Sequence, residues 1–139
     1  MSNYQTALEL NKQNVELMGK LCFMLITAAT ASIAYILSQL KNETWNELIL
    51  FPMYSLTLLA ASFILGCSSL NNQLTVLNIN SYALQLTGIK DSQKVVKEMY
   101  DEIAVNLNRG ATLRRFQYLT FIFGALTYAI YVFLSIFMK

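Results

Sequence analysis

The sequence predicts an all-α integral membrane protein of three long helices, each with a transmembrane part and a cytoplasmic extension, the extensions forming a bundle. Three observations predict it. Residues 21–40, 48–68 and 116–138 contain no Asp, Glu, Lys or Arg, and each is long enough to cross a bilayer, which takes ~20 residues of helix. The chain is 55% hydrophobic and only 13% charged, about half the charged share of a soluble domain. One proline and five glycines in 139 residues leave few sharp turns, and a chain of this length makes one domain.

Residues 1–19 read as an amphipathic helix on the cytoplasmic side. Tyr4, Leu8, Asn11, Val15, Met18 and Cys22 recur at alternating steps of four and three, the spacing of a coiled-coil seam. Glu9, Lys12, Glu16 and Lys20 lie off it. Asn11 on the seam is either a register-fixing buried amide or a polar residue on a surface helix. No cleavable signal is expected, because no basic segment precedes an apolar run with a cleavage pattern. Ser2 stands where myristoylation needs glycine. The first span, 21–40, is rich in small residues. Ala28 with Ser32, and Thr30 with Ala34, have the small-xxx-small spacing that lets helices approach closely in lipid. That face is expected to be covered, by this chain or by a second copy.

Residues 41–47 form a short outer turn in which Trp45 suits the membrane interface. Asn42, Glu43 and Thr44 match a glycosylation acceptor, but so short a loop holds it against the membrane. Pro52 falls in the first turn of the second span, where its missing N–H costs little. Between Glu47 and Lys90 there is no charge, yet Asn71, Asn72, Gln73, Asn78, Asn80 and Gln85 are too many amides for hydrocarbon. The helix therefore leaves the membrane and continues in water, and residues 69–115 form a cytoplasmic helical hairpin. Its first arm carries the seam Leu70, Leu74, Leu77, Ser81 and Leu84. A turn with Gly88 as C-cap and Asp91 or Ser92 as N-cap follows. The second arm carries Val96, Met99, Ile103, Leu107 and Gly110. The predicted stalk seam thus includes Leu8, Asn11, Val15, Leu74, Leu77, Leu84, Met99, Ile103 and Leu107, and it spans ~30 Å at 1.5 Å per residue. The third span, 116–138, is strongly aromatic and reads as the outer helix, with interfacial belts at Tyr118 and Tyr131.

If the 41–47 turn is outside, Lys12, Lys20, Lys90, Lys94, Lys97, Arg109, Arg114 and Arg115 lie inside, and only Lys41 and Lys139 lie outside. The positive-inside rule then puts the amino end in the cytoplasm and the carboxyl end outside.

The chemistry points away from catalysis, and no cofactor or metal is expected. There is no His, and Cys22 and Cys67 lack zinc or redox spacing. The carboxylates Asp91, Glu98, Asp101 and Glu102 read as a solvated helix face. Spans without ionisable carboxylates or bases argue against proton-coupled transport and voltage sensing. A net charge of +2 gives no field to recruit nucleic acid. Hydroxyls occur at every depth and are either glue between helices or the wall of a neutral pore. Candidate packing faces are Ala28 and Ser32, Ser62 and Gly66, and Ala125 and Ala129. Arg109, Arg114 and Arg115 are candidate lipid or anion contacts. They serve topology and anionic headgroups, or bind a nucleotide or phospholipid signal.

The amphipathic first helix, the small-residue run between Leu25 and Ala34, the short outer turn and the second span continuing into water together resemble a known group. They are similar to the small helical membrane effectors of bacterial anti-phage and nucleotide-signalling systems, including the SLATT type. The resemblance covers roughly the first 90 residues, and the third span is additional to the two of that type. It implies a homo-oligomer in the bacterial inner membrane that permeabilises or depolarises it when a cytoplasmic protein or nucleotide trigger acts on the stalk. Two other readings stand beside it: a non-conducting membrane anchor, scaffold or regulatory subunit for a cytoplasmic partner, and a phage holin-like protein.

Overall fold

The structure, a computed structural model, describes residues 3–41, 47–87, 89 and 92–137, with the side chains of residues 3–8 and 11 set aside. Three long helices account for nearly all of it: α1 (Asn3–Leu40), α2 (Leu50–Leu86) and α3 (Gln93–Phe137), with a 3₁₀ turn at Glu47–Ile49 leading into α2. All three are long and apolar enough to cross a membrane. With 38, 37 and 45 residues they also exceed that need, because at 1.5 Å per residue each is ~55–70 Å long against a hydrocarbon core of ~30 Å. Short connections make sequential helices antiparallel neighbours.

The helix ends follow from local chemistry. Pro52 sits in the first turn of α2 and is buried, at a position whose N–H lacks an intrahelical acceptor anyway. At the other end of α2 the N–H and the hydroxyl of Thr87 both donate to the Ala83 carbonyl, over 3.1 and 2.7 Å. The carbonyl of Ser92 accepts from Val96 N–H over 2.9 Å and so opens α3. The Ser92 hydroxyl, with Asp91 one of two candidate caps for α3, instead turns backwards, its one proton within reach of the carbonyls of Leu86 at 2.6 Å and Ile89 at 2.7 Å. It ties the turn to the helix before it. Gly88, Asp91, Trp45 and the Asn42–Thr44 pattern lie outside the described residues.

The core is a stripe of small side chains. The buried residues of α2 are Pro52, Ser55, Leu59, Ser62, Gly66, Ser69 and Ala83; the first six alternate steps of three and four. On α3 the buried residues are Gly110, Gln117 and Gly124, seven apart. On α1 Cys22, Ala29 and Ile36 are buried, again seven apart. A strict seven-residue repeat keeps one face turned towards a neighbour only if the helices supercoil left-handedly. The α2–α3 contact is the most extensive, α1 lies on α2, and α1 meets α3 at few places. One of these is Tyr35 against Tyr128, edge to face, with centroids 6.1 Å apart.

The aromatic helix lies on the outside of the single chain, as its composition predicts: Phe116, Tyr118, Phe123, Phe133 and Phe137 face outward, and of the three apolar stretches that of α3 is the least buried. Its glycine line presses into α2, and α2 is the centre.

The stalk seam is phased differently. Leu74, Leu77 and Leu84 are 60%, 56% and 62% exposed, whereas Val76 and Ile79 are partly buried and Ala83 is fully so. The contact surface of α2 continues the Ser62–Ser69 line, and the leucine row lies one residue round, about 100° away. On α3, Val96, Met99 and Ile103 are partly buried in phase with Gly110, while Leu107 is exposed and Asn106 takes its place. On α1, Val15 and Met18 are exposed, and the side chains of Leu8 and Asn11 lie outside the described residues. The described side chains from Glu9 to Met18 are all exposed. Within one chain, that end of α1 is uncovered.

Candidate functional site

The α2–α3 contact is held by three hydrogen bonds of one kind. Ser55 donates to the Gly124 carbonyl over 2.7 Å, Ser62 to the Gln117 carbonyl over 2.9 Å, and Ser69 to the Gly110 carbonyl over 3.4 Å. All three serines are fully buried. The short side chains and the glycines opposite let the two backbones approach to this distance. At Gly124 an added Cβ would lie 3.0 Å from Leu59 Cγ and 3.3 Å from Leu58 Cβ, so the site has no room for a larger residue. Such bonds are worth about 0.6 kcal/mol each in a bilayer, up to ~1.7.

At the middle rung all three helices meet around one amide. Gln117 Nε2 donates to the Cys22 carbonyl over 3.4 Å, and its Oε1 accepts from the Cys22 thiol over 3.2 Å. The thiol also lies 3.6 Å from the Gly66 carbonyl. Gly66 makes space for this arrangement: a Cβ there would fall 2.5 Å from Gln117 Nε2 and 2.6 Å from Ile26 Cγ1. A buried amide without partners costs several kcal/mol in an apolar medium, so this network specifies how α1 and α3 sit on α2. It is a thiol and an amide closed on one another, with no formal charge.

Most of the threonines satisfy themselves on their own helix. Thr27 donates to the Phe23 carbonyl, Thr30 to Ile26, Thr57 to Met53 and Thr127 to Phe123, each four residues back at 2.7–3.1 Å. Of the two roles open to these residues, Ser55, Ser62 and Ser69 are glue between helices, while these threonines stay on their own helices.

Because α1 and α3 scarcely touch, a cleft of about 340 Å³ opens between them over α2, lined by residues that include Met18, Leu21, Leu25, Tyr118, Arg114 and Arg115. Arg109 is exposed and is not part of it. Among the described residues the one ion pair is Lys20 with Glu16, at 2.8 Å. Among the same residues no cluster of three or more His, Cys, Asp or Glu could hold a metal.

Of the expected packing residues, Ser62 and Gly66 lie in the α2–α3 contact. Ala28 and Ser32 are partly buried, flanking Ala29, which is fully so. Ala125 and Ala129 are exposed in the single chain; Gly124 makes the contact instead. Cys22 and Cys67 are both free thiols, the first buried and the second exposed. Ser55 is among the span hydroxyls that sequence offers as glue, whereas Gln117, Ser69 and Gly124 carry the site unannounced, although two rows repeat every seven residues, 55–62–69 and 110–117–124. No family model, curated protein or solved structure matches the chain.

Proposed function

We propose that this chain is an oligomeric membrane effector, of the anti-phage defence type, that permeabilises or depolarises the bacterial inner membrane when a protein or nucleotide signal acts on its cytoplasmic helices. The observation that carries this reading is the uncovered apolar row Leu74, Leu77 and Leu84 on α2, outside the apolar spans. Three large aliphatic side chains left in water at seam spacing favour association, since burying each is worth ~1.5–3 kcal/mol. The exposed Val15 and Met18 at the uncovered end of α1 add a second row with the same spacing, so a neighbouring copy has a matching surface to offer. Several copies would set spans carrying Thr27 and Thr30 around a common axis. The charge count favours the cytoplasmic side for these extensions.

Expression in cells carrying a membrane-potential dye tests the reading. Depolarisation that follows expression or triggering, and that disappears when the leucine row is made polar, supports it. Potential held throughout, in cells with the protein in the membrane, counts against it.

A second reading is favoured by the serine rungs. They make α2 and α3 one continuous strut from the bilayer into water, the form expected of a non-conducting anchor or scaffold for a cytoplasmic partner. Purification of a monomeric membrane part with a stoichiometric partner would select that reading. Timed lysis on expression would mark a holin-like protein instead.

A further inference from the structure

We propose that the cleft between α1 and α3 is a binding seat for one anionic phospholipid, with Arg114 and Arg115 holding the phosphate and Met18, Leu21, Leu25 and Tyr118 taking the glycerol and first acyl carbons. Three observations converge on this occupant. The lining of the cleft is apolar apart from the Cys22 and Gln117 atoms that bond each other and the two guanidinium groups. It contains no carboxylate. Neither arginine is paired with a carboxylate among the described residues, where the one ion pair is Lys20 with Glu16.

The depth of the cleft is the second argument. Arg114 and Arg115 directly precede the charge-free stretch of α3, and Leu21 opens the charge-free stretch of α1. The cationic end of the cleft therefore lies at headgroup level, and its apolar wall runs inward towards the acyl region. Arg114 is partly buried, which shields its charge from water and strengthens its attraction for an anion. A guanidinium matches phosphate oxygens bidentately. The third argument is shape. α1 and α3 are each seated on α2 but scarcely meet one another, so the gap is a product of the architecture and follows the helix axes as an acyl chain does. Arg109, five residues before Arg114, points about 140° away round the helix and takes no part.

This goes beyond the effector reading and holds whether or not an assembly conducts. The test is native mass spectrometry on the purified full chain in neutral detergent, delipidated and then offered phosphatidylglycerol or phosphatidylcholine of matched acyl chains. One phosphatidylglycerol per chain is retained in roughly thirtyfold preference, as two arginines near a headgroup would give. Arg114→Gln with Arg115→Gln removes the preference, and Arg109→Gln leaves it intact. Leu25→Trp, which fills the cleft with both arginines in place, lowers retention of phosphatidylglycerol at least severalfold; a bare surface attraction would be unmoved. Equal retention of the two lipids overturns the proposal, as does preference surviving the double substitution. Displacement of the lipid by soluble glycerol phosphate at equal concentration also overturns it, assigning the arginines to a free phosphate. If the double variant loses its helical circular dichroism, the lipid comparison on the parent and the Leu25→Trp variant decide.

Discussion

Ser62 donates its hydroxyl to the backbone carbonyl of Gln117 over 2.9 Å, and Ser55 and Ser69 repeat the bond seven residues to either side, to Gly124 and Gly110. The two sevenfold rows run in opposite directions, so one antiparallel register satisfies all three rungs at once. A slip of one residue swings every hydroxyl about 100° off its acceptor. The serines therefore specify alignment more than they add energy.

Replacing Ser55, Ser62 and Ser69 together by alanine accordingly costs only about 2 kcal/mol, three bonds at ~0.6 each. Ser62→Val alone costs as much or more, because it forces volume into a contact built for a hydroxymethyl group, at ~1–3 kcal/mol. Equilibrium unfolding in mixed lipid and detergent micelles measures both. A triple alanine variant that unfolds at the parent's denaturant fraction would show that the rungs hold nothing.

Gly66→Ala is expected to be the most damaging single methyl group. Its Cβ would fall 2.5 Å from Gln117 Nε2 and 2.6 Å from Ile26 Cγ1, so the Gln117 amide and the Ile26 side chain must both shift and the Gln117–Cys22 bonds are disturbed. The cost is ~1–3 kcal/mol, and larger for Gly66→Leu. Gly19→Ala is the control, because a Cβ there meets Gln73 Oε1 at 3.6 Å, an ordinary contact. Equal loss of stability in the two alanine variants, read in the same micelles, would show that the three-helix junction is not tight.

The two thiols should react at different rates. Cys67 is exposed, whereas Cys22 is buried and engaged with Gln117 and Gly66. Maleimide added to the folded protein in detergent labels one thiol quickly, and the second follows only on denaturation. Gln117→Ala opens the junction and speeds the slow site. Two fast thiols in the parent would contradict the burial of Cys22.

What could be read from the chain divides along physical lines. Spans announce themselves through the absence of charge, a property local to each stretch, and of the three charge-free stretches residues 21–40, 50–68 and 116–137 lie in the three helices found. Leucine spacing gives the wrong phase for the α2 seam, whose Leu74, Leu77 and Leu84 are exposed. Leucine marks the seam of a soluble coiled coil, where burial of apolar area chooses the face. Helices that begin in lipid gain little from hiding leucine there, and close approach of small residues chooses the face instead. The line Ser55–Ser62–Ser69 fixes the phase, and the same helix carries it onward past Leu74 and Leu77, leaving them outside. Gln117 escaped notice for another reason. Its partner Cys22 lies 95 residues away, and no local pattern links an amide to a thiol at that distance.

The uncovered end of α1 should respond to acid. The Lys20 ammonium, by its hydrogen bond and then its charge, holds the Glu16 carboxyl below its ordinary value. A carboxyl depressed in the folded state adds stability above its unfolded pKa and loses it as pH falls through the folded one. Both side chains are exposed, so the effect is confined to this helix end and weakens with salt. The protection of amides in the Glu16–Lys20 turn, taken relative to their intrinsic exchange rate at each pH, is expected to fall on acidification, and Lys20→Ala to move the Glu16 titration upward. A Glu16 midpoint indifferent to Lys20→Ala would remove the ion pair from the account.

The exposed leucine row gives the test that separates assembly from folding. Leu74, Leu77 and Leu84 lie outside the contact that holds α2 to α3, so making them polar should leave the single chain intact. Leu74→Ser, Leu77→Ser and Leu84→Ser combined are expected to change the monomer's unfolding by less than about 1 kcal/mol, as surface substitutions do. If copies associate through this row, the same variant shifts the protein from oligomer to monomer in mass photometry or crosslinking. Losing ~1.5 kcal/mol or more at each of three buried leucines weakens a shared interface by at least a thousandfold. Met99→Ser with Ile103→Ser does the reverse, lowering chain stability first, because those residues lie in phase with Gly110 and Gln117. An oligomer that survives loss of the leucine row would move the search for its interface to the outward Ala125 and Ala129 of α3, within the apolar stretch.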